Sequence, residues 1–416
     1  MQISKAKQLP NNSQHLFLII ALGINCTIGY GTLFYSFSLL SLEITQHFSW
    51  SKEFVYGVYS SGIIFSAILA PLFGKILDRY GTQLPMTLGS LIVVISLVSM
   101  SIVNTKVGYI LSILLLEVAA VLVVYESAFV ALTQALGSSA RRAITQITLM
   151  GGFASTIFWP LIDALLNIVD WQTIYLLMAV LHALVCMPLH WLALQPLACK
   201  NIKHMNGSKS DDGKTIINRN PNHDYTIELM IAFTVGVIAF CINGTQIHFF
   251  TLMKGLNIAE ASGVLASALI GPSQVVARIL EMTLGQKISP LKIGIISTSM
   301  MLISLIGLSL ATIISTQLAL LFAVFFGIGQ GFNYIIRGTI PLYIFGNQQY
   351  GTITGRINAV RILLTAAAPI SFSLMIDQYS VHHTLMLMMG LLTLCSLALL
   401  FIDQHHKIKQ RTPSLV

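Results

Sequence analysis

What this sequence lacks is charge. Asp, Glu, Lys and Arg make up 9% of its 416 residues, against 55% hydrophobic residues. A water-soluble domain carries roughly 25% charged residues. A globule of this length with so few ionic groups has no means of covering its surface, whereas a bilayer removes that demand. Cysteine is sparse too: Cys26, Cys186, Cys199, Cys241 and Cys395 are scattered, four of them within apolar runs and none in a C-x-x-C pair. That pattern excludes a disulfide framework and a zinc site. No G-x-x-x-x-G-K-[ST] loop is present to cradle nucleotide phosphates, and no H-E-x-x-H pair to hold a catalytic metal. No basic helix or aromatic stacking platform accompanies the formal net charge of +8, which sets aside a nucleic-acid partner. The sequence therefore gives no catalytic set, no metal and no cofactor, and the chain is not expected to be an enzyme. The absence of a sizeable soluble output domain argues equally against a sensor or receptor.

What is there is a succession of apolar runs, each near the roughly 20 residues that span a hydrocarbon core as a helix. They predict twelve helices: 15–40, 54–73, 84–103, 107–134, 144–168, 172–195, 227–253, 260–283, 290–312, 316–344, 352–377 and 381–402. The first run is too long for the core of a cleaved signal and is read as a retained helix. Residues 197–226 are polar, with too few apolar side chains for a core, and read as a cytoplasmic linker. The expected organisation is an all-α polytopic membrane protein of two pseudo-symmetric bundles, 1–196 and 227–416, the second ending in a short tail.

Charge orients the spans. With the N-terminus in the cytoplasm, the inner segments hold seventeen Lys and Arg residues and the outer loops only Lys52, Lys106 and Lys254. Cytoplasmic loops carry such an excess, so both termini and the linker are placed inside. The expected setting is a bacterial inner membrane, with the chain acting as a monomer.

A repeat runs through the chain. Pro71 matches Pro272, Lys75 and Asp78 match Arg278 and Glu281, and Gly81 matches Gly285. Gly31-Thr32 matches Gly244-Thr245, and Pro160 matches Pro369, all at offsets of about 200 to 213 residues, as two copies of one unit would give.

Between the second and third predicted helices stands PLFGKILDRYG, a charge cluster bracketed by Gly74 and Gly81 and read as the cytoplasmic turn joining them. The pattern G-x-x-x-D-R-x-G, on Gly74, Asp78, Arg79 and Gly81 in a six-plus-six chain, resembles the major facilitator superfamily. The sequence departs from it at Thr82-Gln83, where the family usually carries basic residues. The run GYGTLFYSFSLLSLEITQHFSWSKEFVYG is similar to the monocarboxylate and oxalate/formate branch, over the first three helices only. The resemblance implies two halves rocking about a central site. It also implies that Gly74, Lys75, Asp78, Arg79 and Gly81 latch the second helix against the eleventh when the cytoplasmic side closes, with Arg278 and Glu281 as the second copy. The bland alternative is that these charges only keep a turn in water.

A charge within a span is costly and needs a partner or a cavity. Glu126 and Arg337 lie 211 residues apart, the repeat offset, in the inner halves of the fourth and tenth helices. They are expected to form a cytoplasmic gate pair or a substrate-and-proton switch, because a guanidinium binds two carboxylate oxygens at once. The alternative is a permanent structural pair. Glu117 lines an outer vestibule or pairs locally. Arg361 contacts a substrate anion or an acid such as Asp78 or Glu126. His248 carries a proton or is a satisfied core histidine. Asn25, Tyr35, Gln330, Asn333 and Tyr334 are further polar groups for a path through an apolar cavity. Together these residues point to a secondary active transporter of a small organic anion such as a carboxylate, coupled to H⁺. Efflux of a drug, a metalloid or a siderophore-like chelate stays open as the alternative, metalloid handling through Cys26 and Cys241.

Overall fold

The computed structural model describes residues 12–195, 224–311 and 317–411, and all regular structure among them is helical. The expected linker 197–226 lies outside the described residues except for 224–226, where the Asp224 carboxylate accepts from the amides of Thr226 and Ile227 and starts a helix at Tyr225. Eleven continuous helical stretches are long and apolar enough to cross a bilayer. One of them, Lys106–Leu166, is 61 residues long. At 1.5 Å per residue a single rod of that length would far exceed a hydrocarbon core of about 30 Å. It is divided by a 3₁₀ turn at Gly137–Ser139, with Gly137 at φ +61°. Among the described residues this makes twelve rods long and apolar enough to cross a bilayer, and the protein is a polytopic all-α membrane protein.

Several rods are broken internally. The first consists of α1 (Asn12–Gly29), a π-helical segment Tyr30–Tyr35 and α2 (Ser36–Phe48). It runs further than the expected 15–40. α3 (Lys52–Tyr80) and α4 (Gln83–Ser101) follow. α3 continues through Lys75, Asp78 and Arg79, so the charge cluster sits on its last turns rather than in the connection. The chain turns only at Gly81, with φ +78°, a conformation that costs glycine nothing. The fourth rod is split into α5 (Lys106–Val123) and α6 (Tyr125–Leu136), and the fifth into α7 (Ala140–Gly151) and α8 (Ala154–Leu166). α9 (Trp171–Leu181) starts on an exposed cap. Thr173 hydrogen-bonds the Asp170 carboxyl through its side chain and its backbone amide, which holds that carboxyl below its usual range. A π-helical segment, His182–Cys186, follows, and the rod ends at Gln195. The bulge precedes Pro188, which has no N–H to close the turn behind it.

The remaining rods are α10 (Tyr225–Ile247) with α11 (Phe249–Gly255), α12 (Glu260–Thr283), α13 (Pro290–Leu310), α14 (Leu318–Phe345), α15 (Tyr350–Gln378) and α16 (Val381–Arg411). The chain forms two compact units, Met1–Ser49 with Arg79–Asp212, and Trp50–Asp78 with Gly213–Val416. They differ from the expected halves in one element: Trp50–Asp78 packs with the second unit.

Small residues set the packing inside each unit, as they must where lipid supplies no hydrophobic drive between helices. In the first unit a Cβ on Gly31 would lie 2.1 Å from Phe158 of α8; in the second a Cβ on Gly244 would lie 2.3 Å from Phe372 of α15. Each unit thus seats a phenylalanine, near Pro160 or Pro369, on the glycine of a Gly-Thr pair. α14 uses three alternate glycines for two neighbours. Gly327 and Gly331 face α12 backbone at Ile270 and Gln274, and Gly329 faces Ser297 and Met301 of α13. The Ser297 hydroxyl donates to Gly329 O at 2.7 Å.

Gly329→Leu is expected to destabilise the protein by about 1–3 kcal/mol through overpacking, since a Cβ there would lie 2.5 Å from Met301 Cγ and 2.8 Å from Ser297 O. Gly307→Ala, where nothing lies within 4 Å, serves as the control. Thermal melts of the detergent-purified variants read the difference.

Candidate functional site

In the second unit, α14 presents Gln330, Asn333, Tyr334 and Arg337, spaced at i, i+3, i+4 and i+7 and therefore on one helical face. α12 brings Gln274 and Arg278, one turn apart, against it. Gln274 Nε2 donates to Gln330 Oε1 at 3.2 Å, and Arg278 Nη2 donates to Gln274 Oε1 at 3.4 Å. The Tyr334 ring has the Arg278 guanidinium 5.1 Å and the Arg337 guanidinium 5.0 Å from its centroid. The arrangement is rich in donors and poor in acceptors. Arg278 is 3% exposed and has no carboxylate partner among the described residues. Its Nε, Gln330 Nε2 and Asn333 Nδ2 are buried without a hydrogen-bond partner there. Glu281, three residues from Arg278 and also buried, accepts instead from Gln286 Nε2 at 3.4 and 3.5 Å.

The charge cluster of α3 meets the start of α15, also within the second unit. The Asp78 carboxylate accepts from Gly351 N at 2.9 Å, Thr352 N at 2.6 Å and Thr352 Oγ1 at 2.7 Å. Amides of a first helical turn have no partner inside their own helix, and the dipole there favours an anion. Glycine makes the approach possible. A Cβ on Gly74 would fall 2.1 Å from Gly351 O, and one on Gly355 would fall 2.6 Å from Ala70 O. Lys75 and Arg79 are exposed. One turn beyond Thr352, Arg356 pairs with Glu228 of α10, Nε to Oε1 at 2.5 Å and Nη2 to Oε2 at 2.7 Å. Further along α15, Arg361 Nε donates to Asn358 Oδ1 at 2.7 Å.

His248 occupies the non-helical joint between α10 and α11. Its Nε2 lies 2.9 Å from Pro369 O, which only accepts, so that nitrogen carries the proton and donates.

In the first unit, the break between α5 and α6 lies at Val124, with φ −95° and ψ −165°. Ser127 Oγ reaches back to Val121 O at 2.7 Å. The break puts Glu126 in the first turn of a new half-helix, the end where a carboxylate is favoured. Glu117, nine residues earlier and about 13 Å along the rod at 1.5 Å per residue, is 5% exposed. No hydrogen bond or ion pair reaches it from the described residues. Asn25 Nδ2 donates to Cys186 O at 3.3 Å, while its Oδ1 is buried without a partner among the described residues. The Tyr35 carbonyl accepts from Trp159 Nε1 at 3.1 Å, and the two rings meet edge to face at 5.4 Å.

Sequence reasoning missed two buried histidines. His182 Nε2 lies 2.7 Å from Thr32 Oγ1, joining the two π-helical segments, and His190 Nδ1 lies 2.7 Å from Ser90 Oγ. The Thr32 hydroxyl gives its proton to Ile28 O. It therefore accepts from His182 Nε2, and His182 Nδ1 is left as a buried acceptor with no partner among the described residues. The available signal was two histidines eight residues apart in an otherwise apolar run. Glu228 and Gln274 were also missed; Glu228 reads in sequence as an ordinary acid in a first helical turn.

No metal-holding group of three or more His, Cys, Asp or Glu side chains occurs among the described residues. Comparison with known proteins agrees with the fold. No curated protein sequence matches the chain. Among solved structures, the proton:xylose symporter XylE bound to 6-bromo-6-deoxy-D-glucose superposes with TM-score 0.71 at 14% identity, covering 93% of this chain and 95% of that one. The human organic anion transporter MFSD10 (TETRAN) gives TM-score 0.69 at 12% identity, covering 94% and 100%. The sequence model of the Major Facilitator Superfamily matches residues 22–369. With that match over most of the chain and a twelve-helix fold shared with its transporters, the protein belongs to the major facilitator superfamily and is a transporter, not an enzyme.

Proposed function

We propose that the chain is a secondary active transporter that moves a small organic anion, such as a carboxylate, by alternating access with proton coupling. The observation that carries this reading is the donor set on α12 and α14. Arg278 Nε, Gln330 Nε2 and Asn333 Nδ2 are buried N–H donors with no acceptor among the described residues, beside a tyrosine flanked by two guanidiniums. Such a set lacks an acceptor carrying negative charge. A carboxylate supplies up to four lone-pair sites and fits the guanidinium fork. Leaving Arg278 buried without a counter-ion costs several kcal/mol by desolvation. A site meant to receive an anion bears that cost; a purely structural arginine would keep an acid beside it.

The proton side of the reading rests on the first unit. Glu117 has no partner among the described residues, and Glu126 sits at a helix break. Glu117, with no ion pair among the described residues, is a carboxyl of the kind that can load and release a proton within a span. In this reading Arg337 acts with Arg278 on the substrate, and Glu126 links its binding to the proton. Arg361 and His248 have protein partners and serve as supports. Asp78 at the start of α15 is the cytoplasmic latch, and Glu281 steadies its own end of α12. The similarity to an organic anion transporter and to a proton:xylose symporter is compatible with this choice. The excess of Lys and Arg in the inner segments supports both termini facing the cytoplasm, and the reading takes a bacterial inner membrane as the setting. Efflux of a drug, metalloid or chelate draws no support from Cys26 and Cys241, which are fully buried.

Two outcomes test the reading in proteoliposomes offered short-chain mono- and dicarboxylates, with internal pH as the readout. Arg278→Gln is expected to lower carboxylate-driven proton flux about 100-fold, and Arg278→Lys to restore little of it, because the planar fork is lost. Equal flux in Arg278→Gln would remove the anion site. Glu126→Gln is expected to abolish transport or to leave carboxylate exchange without net proton movement. Normal coupled flux in that variant would reject the role given to Glu126.

A further inference from the structure

The start of α15 is held by two carboxylates on different helices, and only one of them has a cation. Asp78 of α3 takes the amides of Gly351 and Thr352 and the Thr352 hydroxyl. No Lys or Arg hydrogen-bonds to it among the described residues. Arg356, on the same helical face one turn after Thr352, is close enough to Asp78 for their charges to interact. Its fork is nonetheless turned to Glu228, with both nitrogens on both oxygens. Glu228 is 7% exposed at its side chain and Arg356 36%, so the pair is anchored at the acid. The Tyr225 ring centroid lies 5.9 Å from the guanidinium.

We infer that Glu228 is a positioning residue that withholds Arg356 from Asp78 and thereby keeps the Asp78 contact with α15 breakable. Each bond from a neutral amide or hydroxyl to a carboxylate lacks the full opposite charge that a guanidinium brings, and none of the three has the paired geometry of a bidentate fork. A latch that must open in every cycle is better made of such bonds. With Glu228 neutral, Arg356 has no fully charged partner on α10, and the other carboxylate whose charge acts on it is Asp78 of α3. The inference rests on reading the cytoplasmic end as a latch, but the contact itself is measurable without any substrate.

The test is hydrogen–deuterium exchange of the full-length purified protein in nanodiscs, followed at the peptide that carries the Gly351 and Thr352 amides. Glu228→Gln, which keeps the shape of the side chain, is expected to slow exchange there about tenfold, because Arg356 then closes on Asp78. The double variant Glu228→Gln with Arg356→Gln is expected to return exchange to the wild-type rate. Asp78→Asn is expected to speed it. Faster or unchanged exchange in Glu228→Gln overturns the inference, since a structural tie would loosen when cut. Slowing that persists in the double variant overturns it as well, because Arg356 would not be the agent. A peptide from α13 reports whether any change is global. Failure of the transport assays would leave this exchange result standing, so the two readings fail separately.

Discussion

Lipid offers no hydrogen bond, and this constraint shapes nearly everything in the molecule. A polar atom in a span must find its partner inside the protein. Hydroxyls meet the demand locally: Thr32, Thr45, Thr87, Thr234 and Thr245 each donate to the carbonyl four residues back. Breaks meet it through a neighbour, as when Ser127 returns to Val121 O or His248 donates to Pro369 O. Against so complete a habit of pairing, the exceptions carry information. Those on α12 and α14 are not scattered; they share the Gln330 face and are donors.

The same constraint explains why glycine decides where helices touch. Without a hydrophobic drive between rods, contact must come from close packing and from short polar bonds that close packing allows. The crossing of α3 and α15 at Gly74, Gly351 and Gly355 brings backbone to backbone, and only then can a side chain as short as aspartate reach two amides of the facing helix. An alanine at Gly74 would widen the crossing and strand Asp78. The glycines of α14 act likewise: Gly331 lets Gln274 approach closely enough to bond Gln330, which puts Arg278 beside Tyr334.

Spans were legible because apolar length is a one-dimensional property, and the described rods follow the apolar runs to within a few residues at most ends. The end of α3 was not. Gly74 and the charges around it read as a turn, yet helix propensity carries through a single glycine when the facing backbone fills the space, and the chain turned at Gly81. The break at Val124 leaves no mark in composition, since a valine among apolar residues gives no warning. Arg278 was read as a latch residue from its match with Lys75. The repeat pairs the two by spacing, but Lys75 is exposed whereas Arg278 is buried next to Tyr334. Equivalent sequence positions had been given opposite surroundings by their neighbours, which a spacing argument does not contain.

That divergence between copies bears on how a duplicated fold acquires a direction. Around the π-helical turn of the first unit the orphaned buried atoms include acceptors, Asn25 Oδ1 and His182 Nδ1, and the nearby rod carries an uncommitted carboxyl at Glu117. Around Tyr334 in the second unit they are donors. A proton is attracted by the first kind of surrounding and an anion by the second. Two copies with identical polar groups would bind the same species twice and couple nothing. In the proposed function, copies that keep the same glycine and phenylalanine packing, Gly31 with Phe158 and Gly244 with Phe372, but leave opposite hydrogen-bonding atoms unfilled, serve a proton and an anion separately. The packing can be shared because it is apolar and close; in the proposed function, cargo and proton are told apart by the few polar atoms the packing leaves unsatisfied.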